Sequence, residues 1–150
     1  MAVPYVSTHA KLLNDLAAHL AAGPAVRSFL GVETAEAARP LIVEVDGPPI
    51  SQAHIILATP KLRFNRTPGA RFTGTGLLGI LLAKPVDATH SDTEVQRAAL
   101  NWFSPVLEWS VRFPRVRDVE DMEPVRLDAS DGLPGWMMAG IDLTVDVVLP

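Results

Sequence analysis

The chain has 150 residues, no cysteine, and 13 Lys+Arg against 17 Asp+Glu, a formal charge of −4. This length fits one domain, residues 1–150, able to bury a core without covalent staples. The composition excludes a disulfide scaffold, a Cys-ligated metal centre and a thiol nucleophile, and the acid excess gives no general electrostatic hold on DNA or acidic lipid.

Apolar residues make up 48% of the chain and charged residues 20%, which rules out wholesale disorder. Thirteen prolines and ten glycines predict short elements and many turns. No stretch reaches the roughly 18 apolar residues of a membrane span, so no membrane partner is expected. The N-terminal region does not read as a signal peptide: its first basic residue is Lys11, and Asn14 and Asp15 break the apolar run.

Ser7 or Thr8 can cap a first helix, in which Leu12, Leu13, Leu16, Ala17 and Leu20 form one apolar stripe of period near 3.6. Gly23-Pro24 ends it. Residues 25–40 are Ala-rich and fit either a short helix or a loop. Leu41 to Val45 reads as a strand stopped by Gly47-Pro48-Pro49, and His54 to Ala58 as another. Residues 61–84 read as a hairpin turning at Thr67-Pro68-Gly69-Ala70. Its return strand, Leu77 to Ala83, is apolar on both faces, which fits a central strand or one shared with a neighbouring subunit. Pro85 is expected to end it.

Ser91-Asp92-Thr93-Glu94 has the form of a capping box. Val95, Ala98, Ala99, Trp102, Phe103 and Val106 continue as an amphipathic helix, which Pro105 is expected to kink or restart. Val116 to Leu127 is β-compatible and heavily charged; Asp131 to Gly135 reads as a turn. In the last strand Ile141, Leu143, Val145 and Val147 alternate with Asp142, Thr144 and Asp146, one dry side against one wet or partner-facing side. The expected order is α-β-β-β-α-β-β: an α+β fold with a mostly antiparallel sheet of four to five strands and two helices packed on one face.

Motifs of chemistry are sparse. Gly74-Thr75-Gly76-Leu77-Leu78-Gly79 matches G-x-G-x-x-G. A dinucleotide site needs that turn at the start of a helix, whereas here Leu and Ile follow and Pro85 comes too soon. A bulged or flexible strand start is the competing reading. His9, His19, His54 and His90 are scattered without metal-ligand spacing. Asp142 and Asp146 would stand roughly 13 Å apart along a strand, beyond the roughly 5–9.5 Å of paired glycosidase carboxylates. No catalytic, cofactor-binding or metal-binding residue is nominated.

The distribution of charge carries more. Residues 60–84 hold Lys61, Arg63, Arg66, Arg71 and Lys84 and no acid, a local +5; residues 118–146 hold eight acids and only Arg126, a local −7. Arg112, Arg115 and Arg117 form a second basic cluster beside the acids. Solvated surface is one reading. The other is a head-to-tail contact between copies, the heterologous geometry that closes rings.

The chain resembles the tail terminator proteins of tailed bacteriophages. The resemblance rests on the order of elements across most of the chain: the N-terminal amphipathic helix; the hairpin Arg63-Phe64-Asn65-Arg66 to Arg71-Phe72-Thr73-Gly74, whose return strand runs to Lys84-Pro85; the helix from Ser91 to Trp109; and the ending from Asp131-Gly132-Leu133-Pro134-Gly135-Trp136 to the alternating strand Ile141 to Val145. Pro105 and residues 112–126 have no counterpart in it. The resemblance implies a non-enzymatic, cofactor-free virion protein, assembled in the host cytoplasm, where the absence of cysteine fits a reducing compartment. Such a protein forms a homo-hexameric ring on the head-proximal end of the tail, stops growth of the tail tube protein and presents a surface to the head-completion protein. Genomic DNA passes through the ring without being read. The candidate subunit or tube contacts are Lys61, Arg63, Arg66, Arg71, Arg115, Arg117, Asp142 and Asp146. A different head–tail connector, or a small ligand-binding or enzymatic α+β domain, are the alternatives.

Overall fold

The computed structural model describes residues 7–45, 47, 50–66, 72–86, 92–121, 123–127 and 135–148. It is an α+β fold, as expected, with a richer element list than the sequence suggests. Helices α1 (Thr8–Ala22), α2 (Pro24–Leu30) and α3 (Ala35–Ala38) precede strands β1 (Ile42–Glu44), β2 (His54–Leu57), β3 (Lys61–Arg66) and β4 (Phe72–Val86). Helix α4 (Asp92–Ser110) is followed by β5 (Val116–Asp121), β6 (Val125–Leu127) and β7 (Gly135–Val148). The expected two helices are four among the described residues, and the four to five strands are seven. The Ala-rich stretch resolves into α2, α3 and a 3-10 turn at Arg39–Leu41.

Local chemistry explains the helix starts. The Ser7 hydroxyl accepts from the Ala10 N–H at 3.1 Å, and the Thr34 hydroxyl accepts from the Ala37 N–H at 3.1 Å. Pro24 opens α2, where its missing N–H would have had no partner. Helix α4 runs unbroken through Pro105, contrary to a restart at Ser104. Its inward stripe of Val95, Ala99, Phe103, Val106 and Ser110 is buried, while Pro105 is exposed on the opposite side. Packing of that stripe offsets the bond that proline removes. The capping box at Ser91 and the turns at 67–70 and 131–134 lie outside the described residues.

One sheet holds all seven strands, built on the long antiparallel pair β4–β7, whose register runs from Thr73 opposite Val148 to Val86 opposite Gly135. Strands β2 and β3 follow each other along the far side of β4, and β5 and β6 along the far side of β7. Strand β1 adds outside β2 in parallel, which makes the sheet mixed. Strand β4 includes Pro85 rather than stopping at it. Beyond Ala83 it has no β2 neighbour, and a strand tolerates proline where no partner needs its N–H.

The alternation of β7 decides which face the helices cover. Met137, Ala139, Ile141, Leu143, Val145 and Val147 are buried, and so are their neighbours Leu78, Ile80 and Leu82 of β4 and Ile55 and Leu57 of β2. These residues share one core with Leu16, Leu20, Val26, Phe29, Phe103 and Val106 of the helices. The helices therefore pack on one face, as expected. The other face, with Val43, Ile56, Leu77, Leu81 and Met138, contributes nothing to that core, and Leu77 is 40% exposed. Strand β4 is thus central in the sheet but covered by helices on one side only.

Candidate subunit interface

The charge-rich residues sort onto two edges of the sheet. Strand β3 carries Lys61 and Arg63, both exposed, opposite Leu77 and Thr75 of β4, so both lie on the helix-free face. Arg66 sits at the end of β3, its backbone opposite Phe72; Arg71 lies outside the described residues. At the opposite edge, β5 carries exposed Asp118, Glu120 and Asp121. Asp118 pairs with Thr144 and Glu120 with Asp142, again on the helix-free face. Among the described residues, no strand lies outside β3 or outside β5.

The remaining candidates belong to the acidic side. Arg115 leads into β5 with φ 66, a left-handed backbone unusual for a side chain of its size. Its carbonyl accepts from the Asp146 N–H at 3.0 Å. Arg117 occupies the bulge between Val116 and Asp118, and its Nε lies 3.8 Å from Asp146 Oδ1, with both side chains more than half exposed. Among the described residues Asp146 thus meets two other nominated residues, Arg115 through the backbone and Arg117 through its side chain, and both contacts lie within one chain. Asp142, half-buried, stands directly across from Glu120. Like charges in that position repel, and among the described residues no basic side chain pairs with either.

Glu120 and Asp118 escaped nomination because their place at an edge depends on β5 pairing with β7. The local charge sum was the signal available, and it marked the segment without marking the residues.

The glycine motif lies wholly within β4, which runs on to Val86, so it does not form the strand-to-helix turn that the dinucleotide reading requires. At Gly74 a Cβ would run into the carbonyl of Arg63, so the glycine there serves close strand approach. His54 is buried edge-on against Trp136, with Nδ1 2.7 Å from the Gln52 carbonyl oxygen. An open cleft of about 580 Å³ lies between α1 and the start of β5, lined in part by Lys11, Asp15, His19, Arg115 and Asp146. No helix among the described residues is long and apolar enough to cross a membrane. No family model matches the chain, and no curated protein matches it.

Proposed function

We propose that this chain is a structural virion protein, a tail terminator. Copies of it form a hexameric ring at the head-proximal end of a phage tail tube, end tube polymerisation and present the surface on which the head-completion protein docks. The DNA passes through the ring unread, and assembly takes place in the host cytoplasm.

One observation carries the reading: exposed Lys61 and Arg63 on β3 and exposed Asp118 and Glu120 on β5 lie at opposite edges of one sheet, with Arg115 and Arg117 beside the acids. A subunit with unlike ends suits head-to-tail closure, since each copy offers its neighbour the complement of what it uses. The resemblance in element order supports the particular role.

The test is to add the purified protein to polymerising tail-tube subunits and to measure tube lengths by electron microscopy. Short tubes, each with a ring at one end, are expected. Rings that leave tube length unchanged would favour the head–tail connector reading instead.

A further inference from the structure

We infer that a pocket between the end of β4 and helix α4 binds a small organic monoanion, a carboxylate on an aromatic or alkyl body: Lys84 takes the carboxylate, and Trp102, Val95 and Ala98 take the body. This goes beyond the ring reading and does not depend on it.

The sequence of β4 sets the lysine in place. Leu78, Ile80, Leu82 and Lys84 follow at a spacing of two, and the first three are core residues. Lys84 pairs with Met137, which is fully buried, so its side chain enters the helix layer as theirs do. Pairing with β2 ends at Ala83. A cavity of about 420 Å³ lies at this corner, bounded by Lys84, Pro85 and Val86 of β4 and by Val95, Ala98 and Trp102 of α4. Positions 95, 98 and 102 share one face of a helix. Small-molecule sites run from roughly 300 to 1,000 Å³ and are mostly apolar, with a few placed polar groups.

The surroundings of the ammonium specify the charge of the ligand. Its Nζ lies 5.3 Å from the Phe29 ring centre and 5.0 Å from that of Trp102. Ring faces attract a cation but offer it no oxygen. The Phe29 carbonyl is 3.5 Å away, at the outer limit of hydrogen bonding. An ammonium has three donors, so this one distant acceptor leaves capacity for a ligand. Burial lowers the pKa of this lysine, the mark of a cation that has lost water without gaining an equal counter-charge. A carboxylate supplies that charge and accepts charge-assisted hydrogen bonds.

The walls and the rim narrow the class. Trp102 gives an aromatic surface, and Val95 and Ala98 an aliphatic one, which a bare inorganic anion would leave unused. Glu94, exposed, lines the same pocket and opposes a second negative charge, so a monoanion is favoured over a phosphate ester. Lysines also snorkel along apolar surface simply to reach water, and that rival predicts no ligand.

The experiment titrates the full chain with phenylacetate and with octanoate, followed by calorimetry and by heteronuclear NMR of the indole N–H groups. Phenylacetamide is the neutral match. Phenylacetate should bind and move the Trp102 indole signal, and the amide should bind at least tenfold more weakly. Lys84→Met removes the charge and keeps the stem; it should lose at least tenfold in affinity for phenylacetate while leaving the weak amide binding unchanged. Lys84→Arg should keep most of the wild-type affinity. If circular dichroism shows the methionine variant unfolded, the arginine variant and the comparison of acid with amide on the wild type decide. Equal affinity for acid and amide, or an affinity that Lys84→Met leaves unchanged, overturns the anion site. No binding of either acid at tens of millimolar also overturns it and leaves a snorkelling lysine. None of these failures touches the ring reading, which is measured by tube length.

Discussion

His19 and Trp109 hold each other by two reciprocal hydrogen bonds and a ring stack. His19 Nε2 donates to the Trp109 carbonyl at 2.9 Å, and Trp109 Nε1 donates to the His19 carbonyl at 2.8 Å. The rings lie 4.9 Å apart and 13° from parallel, with Phe113 edge-on to His19 at 5.5 Å. This joins the last turn of α1 to the last turn of α4 just before the chain enters β5.

Trp109→Phe keeps an aromatic ring but deletes the donor to the His19 carbonyl. A lost bond of this kind costs about 1 kcal/mol, more where the orphaned carbonyl is shielded from water. For a domain of this size that is a fall in Tm of about 2–4 °C, to be read by circular dichroism. An unchanged Tm would mean that water replaces the indole N–H without cost.

Gly23 lies against the face of the same indole, where any Cβ would overlap ring atoms. Gly23→Ala must displace Trp109 or the junction of α1 and α2. Overpacking of this sort costs about 1–3 kcal/mol, and a urea titration should show a lower midpoint with an unchanged slope. Combined with Trp109→Ala, the glycine substitution should lose most of its effect, because the obstacle is gone.

Arg117 and Asp146 form an exposed pair at 3.8 Å. Exposed pairs contribute little, so Arg117→Ala should change stability by less than about 0.5 kcal/mol in chemical denaturation. A larger loss would mean that the bulge in β5 depends on this contact.

Lys84 points into the helix layer, its Nζ 5.3 Å from the Phe29 ring centre and 5.0 Å from that of Trp102. It reaches the Phe29 carbonyl at 3.5 Å. Burial lowers its pKa from the ordinary 10.5. Between the lowered folded value and the unfolded one, the unfolded chain binds more protons, so stability from this group rises with pH through that window. Lys84→Met should flatten the rise. Urea midpoints at intervals from pH 8 to 10.5 would check it, and parallel curves for the two proteins would count against it.

Much of the fold is legible in local pattern. The alternation from Ile141 to Val147 named the buried side of β7 residue by residue, because side chains in a strand alternate by geometry alone. The stripe of α1 follows from an equally local rule, as does a cap at Ser7 or Thr8, of which the structure uses Ser7. Pro105 misled because a helix rule was applied without the packing that sustains α4 across it. The broken strands β5 and β6, and the parallel β1, were not legible as such, since each depends on a neighbour distant in sequence.

The candidate interface divides the same way. Composition along the chain by itself determined that a basic segment and an acidic segment exist, that no thiol chemistry is available, and which strand faces are dry. Only the tertiary structure decided that β3 and β5 are opposite edges with no outer neighbour among the described residues, that Asp146 turns to Arg117 of its own chain, and that Glu120 faces Asp142. The reason is physical. Periodicity and charge are carried by consecutive residues, whereas an edge is defined by the strand that is missing beside it. That follows from how β4 and β7 pair across some 60 residues of chain.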